Sequence, residues 1–313
     1  MLKPEWYHQF RNEGKKREIK REGDTSPSPL LLMKRRAKKL LAVLPFIVPA
    51  LAINVFVILV PSIWTLILAF FKWDGIGTPV FVGIKNFSTV FSDPRFLQAL
   101  SHNIIWTIIF LTIPVAMGLG VAELLRRTRW QFVEPFYFLP VTLPVVVIGL
   151  IWRYIYNPIR GLGKFIGIGL LGNVSTALYA IAFANIWAWW GFLCVVFYSA
   201  VQGISKNLYE AAVLDGANRW QEFWHVTLPQ IVPTVVFMEI MTIIWSFQVF
   251  DWIWVTTQGG PAGATELLAT LLYKRAFFSY KIGEASIIGL VIAMFGCLAV
   301  GMLFYLRHKG MEV

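Results

Sequence analysis

Residues 210–229 read Glu-Ala-Ala-Val-Leu-Asp-Gly-Ala-Asn-Arg-Trp-Gln-Glu-Phe-Trp-His-Val-Thr-Leu-Pro and lie between two long apolar segments. This polar stretch stands out because only 14% of the 313 residues are charged and 57% are hydrophobic. Soluble domains carry about 25% charged residues, so the composition indicates a membrane protein with several spans. The net charge of +11 does not indicate nucleic-acid binding, since Lys and Arg cluster beside apolar spans, where they set orientation.

The apolar segments around this stretch are long enough to cross a membrane. A spanning helix needs about 20 mostly apolar residues, and six stretches approach or exceed that length. Glu239 and Asp251 interrupt the fifth, and the glycine-rich residues 165–176 are predicted to form a loop or an interfacial piece. The six predicted spans are 40–71, 104–122, 136–152, 177–200, 231–255 and 285–306.

The distribution of Lys and Arg predicts how these spans are oriented. Six spans place both chain ends on the same side of the membrane. If that side is the cytoplasm, the inside segments carry 19 Lys and Arg residues and the outside segments carry 8, with Arg153 at the end of the third span left out of both counts. Because cytoplasmic loops carry an excess of these residues, we predict an all-α integral membrane protein with six transmembrane helices and both ends inside. Residues 210–229 then face the cytoplasm.

Residues 203–229 are predicted to form two short helices. Asn207 can cap the first helix, with Glu210 three residues later reaching back to it. Gly216 can take the left-handed conformation that ends a helix. The first helix is therefore bounded at both ends.

The second helix has a similar start and an aromatic face. Asn218 can cap it, again with a polar partner, Gln221, three residues later. Pro229 is predicted to end the helical pattern before the fifth span. Its apolar face does not say whether it packs on another protein or on the chain's own spans. The side chains that share this face are Trp220, Phe223 and Trp224.

The same segment resembles the signature loop of the permease subunits of bacterial ABC importers. Glu-Ala-Ala at 210–212 is followed four residues later by Gly216 and then by Leu-Pro at 228–229, as in that signature. Asp-Gly-Ala at 215–217 is similar to the carbohydrate-uptake subgroup. In this family the loop inserts into a cleft on a cytoplasmic ATPase. The residues to which the resemblance gives this coupling role are Glu210, Ala211, Ala212, Asp215, Gly216 and Ala217.

The resemblance covers roughly residues 40–308. Residues 81–96 are similar to the external segment before the second span of sugar permeases, and 138–157 are similar to their third span. Residues 250–265 are similar to the outer end of the fifth span in the first permease subunit of the maltose-transporter type. In the maltose system itself that subunit has extra N-terminal spans and a large external domain, neither of which is predicted here. The resemblance is therefore to a short form of the subunit with six spans. The residues of the external motif are Asp251, Gly259, Gly260 and Pro261.

The resemblance implies a type I ABC-importer permease fold, the MetI-like fold. Residues 1–39 are predicted to be a basic, largely disordered cytoplasmic arm near anionic lipid. Residues 40–308 are predicted to form the six-span permease domain with the coupling loop at 203–229, and 309–313 a cytoplasmic tail. The implied partners are a second homologous permease subunit, two cytoplasmic ATPases, an extracytoplasmic binding protein and a sugar. The implied location is a bacterial or archaeal cytoplasmic membrane.

The sequence shows no motif for chemistry of its own. It lacks the Gly-x-x-x-x-Gly-Lys-Ser/Thr loop that cradles ATP phosphates, and it has no Ser/His/Asp set or His/Cys cluster. We therefore predict no catalytic residue, metal or cofactor on this chain, and the resemblance places ATP and Mg on the partner ATPases. Cys194 and Cys297 lie inside apolar runs and are predicted to be small core residues.

The fourth and fifth spans carry side chains that suit a sugar, which is bound through hydroxyl hydrogen bonds and aromatic stacking. Polar residues inside a span tend to face a cavity or a partner helix, and residues 242, 245, 246 and 249 share one helix face. The resemblance matches this face to sugar-contacting residues of the maltose-type subunit. Interface packing is the alternative role for the tryptophans. The predicted substrate-pathway residues are Ala188, Trp189, Phe192, Thr242, Trp245, Ser246, Gln248 and Val249.

Two functions are open from the sequence. The preferred function is the transmembrane permease subunit of an ATP-driven ABC importer for a sugar or oligosaccharide, which forms half of the translocation pathway. The alternative is a secondary transporter or another self-contained membrane protein, which usually shows internal repeats and coupling-ion acids near mid-membrane. Only Glu239 fits the latter, and it could also pair with a partner subunit. The sequence does not name the sugar or polyol.

Overall fold

The computed structural model describes residues 44–128, 130–161, 163–166 and 169–310. The predicted arm at 1–39, the first residues of the first predicted span and residues 311–313 of the tail lie outside the described residues, so what was predicted of them stays a prediction. The chain separates into two units, Met1–Ile63 and Trp64–Val313. Every contact discussed below lies within the second unit.

The regular secondary structure of the described residues is helical, apart from one short β-ribbon in which Phe71 pairs with Phe81. A 3-10 turn at Trp130–Val133 precedes α4. The first elements in chain order are α1 (Leu44–Leu68), β1 (Phe71–Lys72), β2 (Val80–Phe81), α2 (Lys85–Phe91), α3 (Pro94–Arg127), α4 (Glu134–Thr142) and α5 (Val145–Ile155). The remaining elements are α6 (Gly163–Ile166), α7 (Ala177–Gln202), α8 (Lys206–Leu214), α9 (Arg219–Gln248), α10 (Asp251–Thr256), α11 (Leu268–Tyr273) and α12 (Ile282–His308).

Five of these helices, α1, α3, α7, α9 and α12, are long and apolar enough to cross a membrane. The pair α4 and α5 gives a sixth span if the two count as one, although they are bent by 101°. The prediction of an all-α protein with apolar spans is therefore confirmed for the part of the chain that the structure describes.

The third predicted span is wrong as a single helix over 136–152, because the chain breaks between α4 and α5. Leu143 is extended, with φ −83° and ψ 145°, and Pro144 is the N-cap residue of α5. A residue before proline is driven out of the helical region by the proline ring. The break therefore follows directly from Pro144.

The fifth predicted span differs at both of its ends. The helix does not stop at Pro229: α9 runs from Arg219 through a π-helical turn at Phe223–Thr227 and on to Gln248. The wide turn accepts a proline because the bonding register changes there. At the other end Val249 is extended, with ψ 114°. The second helix predicted for the loop is therefore the first part of the span itself.

Helix α7 lies between α3 and α4, and glycines let all three approach closely. A Cβ on Gly118 of α3 would lie 3.1 Å from the backbone nitrogen of Cys194, and a Cβ on Gly191 would collide with the carbonyl oxygen of Tyr137. Cys194 is fully buried in this contact, as predicted. The prediction for Cys297 is wrong, because it is exposed on α12, where an apolar surface does not mean a core position.

Candidate functional site

A cavity of about 730 Å³ lies where two helix breaks face α3 and α7. One wall is the turn between α4 and α5, and another is the turn at Val249 and Phe250 between α9 and α10. Irregular backbone at membrane depth is tolerated where it lines a cavity, since its polar groups then have partners. The two breaks are therefore part of how this cavity is built.

All eight residues predicted for the substrate pathway line this cavity. Their role in binding stays a prediction, but the structure brings them together from two helices and one turn. The residues are Ala188, Trp189, Phe192, Thr242, Trp245, Ser246, Gln248 and Val249.

Aromatic rings form one patch of the cavity wall. The ring centroids of Trp189 and Trp245 lie 4.8 Å apart at an interplanar angle of 87°, and Phe192 lies 5.0 Å from Trp189. The edge-to-face contact between the two tryptophans favours one orientation of their rings. All three rings are only half buried, so part of each is open to the cavity.

Two hydroxyl groups predicted for the pathway are already bonded within the protein. Thr242 is 2% exposed, and its Oγ1 donates to the carbonyl oxygen of Met238 at 2.7 Å. Ser246 Oγ donates to the carbonyl oxygen of Ile243 at 2.8 Å and lies 2.7 Å from Thr107 Oγ1. Both side chains shape the wall rather than offering free hydroxyls, and Ser246 also joins α9 to α3.

The free polar groups of the wall are residues that the sequence did not single out. Asn185 is 9% exposed and lines the cavity, and its amide has no hydrogen-bond partner among the described residues. The buried Nε1 of Trp106, whose ring stacks on Phe110, also lacks a partner there. Trp106 is fully buried, whereas the Asn185 amide is not closed off from the cavity, so Asn185 is the one of the two that is suited to a bound ligand. The spacing in the sequence could have identified Asn185, because it precedes Ala188 by about one helical turn and so shares its helix face.

The residues of the external motif lie in two different places. Asp251 is exposed and lines the cavity, whereas the Gly-Gly-Pro turn at 259–261 does not. A Cβ on Gly259, where φ is +89°, would collide with the ion pair between Glu266 and Lys274. The turn is therefore a packed structure that fixes this ion pair.

The coupling residues lie on α8 and in the turn after it. Gly216 has φ +78°, and the amide of Ala217 donates to the carbonyl oxygen of Ala212 at 2.9 Å, so the predicted left-handed end of the helix is confirmed. The predicted cap at Asn207 is wrong. The helix begins at Lys206, so Asn207 is already in its first turn, and the N-cap residue is Ser205.

The start of α9 has the predicted capping box. Asn218 Oδ1 accepts from the amides of Trp220 and Gln221 at 3.0 and 2.9 Å, and Gln221 Oε1 accepts from the amide of Asn218 at 2.9 Å. Trp220 is 69% exposed and contacts the ring of Trp224 at 5.5 Å. These two rings form an apolar surface that is not covered within the described chain, and Leu214 at the end of α8 is also 87% exposed. Such surfaces mark contacts with other molecules.

Comparisons with known proteins agree with this architecture. Residues 113–311 match the family described as binding-protein-dependent transport system inner membrane component. The probable ABC transporter permease protein YurN of Bacillus subtilis (strain 168) is 36% identical over 79% of this chain and 89% of its own. The probable starch degradation products transport system permease protein AmyD of Thermoanaerobacterium thermosulfurigenes is 29% identical over 84% of this chain and 93% of its own.

A solved structure shows the same fold. A chain of a bacterial alginate ABC transporter, in complex with an alginate pentasaccharide-bound periplasmic protein, matches with a TM-score of 0.78 and 20% identity. The match covers 89% of this chain and 98% of that chain. The resemblance of residues 210–229 to the signature loop of ABC-importer permeases is thereby confirmed. The alternative, a secondary transporter, is excluded. With a family match over residues 113–311 and a relative 36% identical along most of its length, this chain belongs to the inner membrane components of binding-protein-dependent transport systems, the permease subunits of ABC importers.

Proposed function

We propose that this permease subunit carries a sugar or an oligosaccharide through the cavity between α7 and α9. The observation that carries the proposal is a wall that combines ring faces with an unpaired amide. Trp189 and Trp245 offer ring faces, and Asn185 offers an amide without a partner among the described residues. A ligand with both hydroxyls and C–H faces satisfies this wall. The starch-product permease of Thermoanaerobacterium supports the same substrate class.

In the proposed cycle this chain carries out no covalent step. Two partner ATPases bind ATP and Mg and close, α8 moves with them, and the pathway shared with a second, homologous permease subunit opens outward. An extracytoplasmic binding protein then releases its sugar into the cavity, and ATP hydrolysis resets the pathway. We place the assembly in the cytoplasmic membrane of a bacterium or archaeon.

The exposure of α8 supports the ATPase contact. No residue of this helix is buried, and its apolar Val213 and Leu214 point to the surface. The helix is held at one end by Gly216, whose left-handed conformation turns the chain sharply into α9. A short, exposed helix on a rigid turn is suited to insertion into a cleft of another protein.

Replacement of Glu210 by Lys tests this contact. We expect the ATPase subunits to be lost from the purified complex and uptake to stop, because the charge in the middle of the exposed helix is reversed. The second permease subunit should still co-purify. Arg307→Gln is the control, since Arg307 is exposed and its side chain has no partner among the described residues. A Glu210→Lys complex that keeps its ATPases and normal uptake would contradict the proposal.

Inactivation of the partner ATPase tests the energy source. We expect uptake of the sugar that the binding protein selects in a ligand screen to cease when the ATPase cannot hydrolyse ATP. Uptake that persists would show that the energy for transport comes from elsewhere.

A further inference from the structure

Four charged side chains tie the end of α3 to the start of α9. Arg126 Nη2 lies 2.7 Å from Glu123 Oε1 and 2.5 Å from Glu222 Oε1. Arg127 Nη2 lies 2.6 Å from Glu123 Oε1 and 3.1 Å from Glu222 Oε2. All four side chains are mostly buried, and that of Glu222 is 9% exposed. Since removal of one member leaves another charge buried without compensation, this charge cluster holds the two helices in a fixed relation.

Tyr209 joins α8 to the charge cluster. Among the side chains of α8 larger than alanine, only that of Tyr209 is partly buried, and it stands directly before Glu210. The guanidinium carbon of Arg126 lies 3.9 Å from the centre of its ring, which is a cation–π contact. The Tyr209 hydroxyl lies 3.2 Å from Thr227 Oγ1, which donates to Glu123 at 3.3 Å. Burial raises the pKa of the Tyr209 phenol, so it stays neutral at physiological pH.

The charge cluster also connects to the cavity through α3. This helix is continuous from Pro94 to Arg127. Its Trp106 lines the cavity, and its Thr107 contacts Ser246 of α9 at 2.7 Å. One helix therefore reaches from the charge cluster to the cavity wall.

We propose that Tyr209 and the charge cluster transmit the movement of α8 to α3, so that nucleotide binding on the partner ATPases changes the cavity. Tyr209 and Arg126 are positioning residues, because neither touches nucleotide or substrate. This inference rests on the proposed function of α8 as the ATPase contact. The competing path is α9, which begins at Arg219 just after the turn and reaches the cavity by itself. On that path the charge cluster only stabilises the fold.

Cysteine labelling in the whole complex separates the two paths. The full chain, its permease partner and the ATPases are purified in nanodiscs, with Cys297→Ser to remove the exposed thiol and Gln248→Cys to report on the cavity. A charged methanethiosulfonate reagent is the probe, and its labelling rate is compared without nucleotide and with ATP, Mg and vanadate. We expect the two rates to differ. With Tyr209→Leu we expect their ratio to fall to about one while ATP hydrolysis continues, because α3 no longer follows α8.

Conservative variants separate transmission from folding. Tyr209→Phe keeps the ring over Arg126 and should keep the nucleotide-dependent ratio. Arg126→Lys keeps the charge but loses the fork that bridges two carboxylates, so its ratio should fall like that of Tyr209→Leu. Arg307→Gln, outside the charge cluster, should leave the ratio unchanged.

The outcomes distinguish this inference from the proposed function. A Tyr209→Leu complex that holds its ATPases and keeps the full ratio overturns the inference and assigns the movement to α9. Loss of the ATPases from that variant also overturns it, since Tyr209 then belongs to the contact itself. A complex with native Tyr209 whose labelling ignores nucleotide instead contradicts the proposed function of α8.

Discussion

Asn185 is the residue that gives the cavity wall on α7 its clearest polar group. It stands at the start of a helical stripe that continues through Ala188, Trp189 and Phe192, so its amide lies on the same face as the two rings. The amide has no partner among the described residues and is open to the cavity, where it can bond to a ligand. Asn185 is therefore a candidate for selecting sugar hydroxyls.

Replacement of Asn185 by Ala should therefore weaken transport without disturbing the fold. We expect uptake at saturating liganded binding protein to fall about five- to tenfold, since one hydrogen bond contributes about 1 kcal/mol. Ser199→Ala is the control on the same helix, because Ser199 is exposed and bonds only to the carbonyl oxygen of Val195. Equal uptake by the two variants would mean that the Asn185 amide does not bind the substrate.

The sequence predicts which polar residues line the cavity better than it predicts which of them are free to bind a ligand. The stripe on α9 could be predicted because Thr242 and Ser246 are polar at helical spacing within an apolar span. Their hydroxyls proved to be bonded to carbonyl oxygens one helical turn earlier, which helix geometry offers to any Ser or Thr. The contact of Ser246 with Thr107 could not be predicted in this way, because it joins residues 139 positions apart that only the fold brings together.

At the scale of secondary-structure elements, the cavity is shaped by two helix breaks, one between α4 and α5 and one between α9 and α10. The sequence predicted the existence of the spans well, because length and apolarity are local properties. It did not predict the 101° bend between α4 and α5, although Pro144 signalled it. The break at Val249 carries no comparable local signal, since no Gly or Pro lies there. Beside it, Asn103 Nδ2 of α3 donates to the carbonyl oxygen of Ser246 at 2.9 Å, a contact between distant parts of the chain.

Gly191 tests the packing of α4 against α7. A Cβ at this position would collide with the backbone carbonyl of Tyr137, which cannot rotate away as a side chain can. We expect Gly191→Ala to lower the free energy of unfolding by about 1–3 kcal/mol, seen as a lower melting temperature in detergent. Gly120→Ala on α3 is the matched control, because nothing lies within 4 Å of its Cβ position. Melting temperatures that are equal for both variants would contradict this close packing.

The whole molecule presents apolar surface on the outside of α12. Leu298, Met302 and Phe304 are all exposed, on a helix with no charged residue from 285 to 306. In a membrane such a surface meets lipid or another apolar helix and not water. This surface is therefore available to the bilayer and to the second permease subunit that we propose. A single sequence predicts that the surface is apolar, but the choice between these two neighbours depends on the partner's shape.

The orientation of the whole molecule decides whether α8 can meet an ATPase at all. The excess of Lys and Arg, 19 against 8, predicts that α8 and the end of α12 face the cytoplasm and that the β-ribbon faces outward. In intact cells carrying Cys297→Ser, we expect a membrane-impermeant maleimide to label Thr78→Cys, which is exposed between β1 and β2. Arg307→Cys should be labelled only after the cells are permeabilised.

The control for this experiment is the Cys297→Ser chain alone, in which the buried Cys194 should stay unlabelled. A reversed pattern, with Arg307→Cys labelled in intact cells, would place Glu210 and the charge cluster outside, where no ATP is present. That single result would remove both the ATPase contact and the path through Tyr209. Both roles proposed for this region, the ATPase contact of α8 and the path through Tyr209, require α8 to face the cytoplasm.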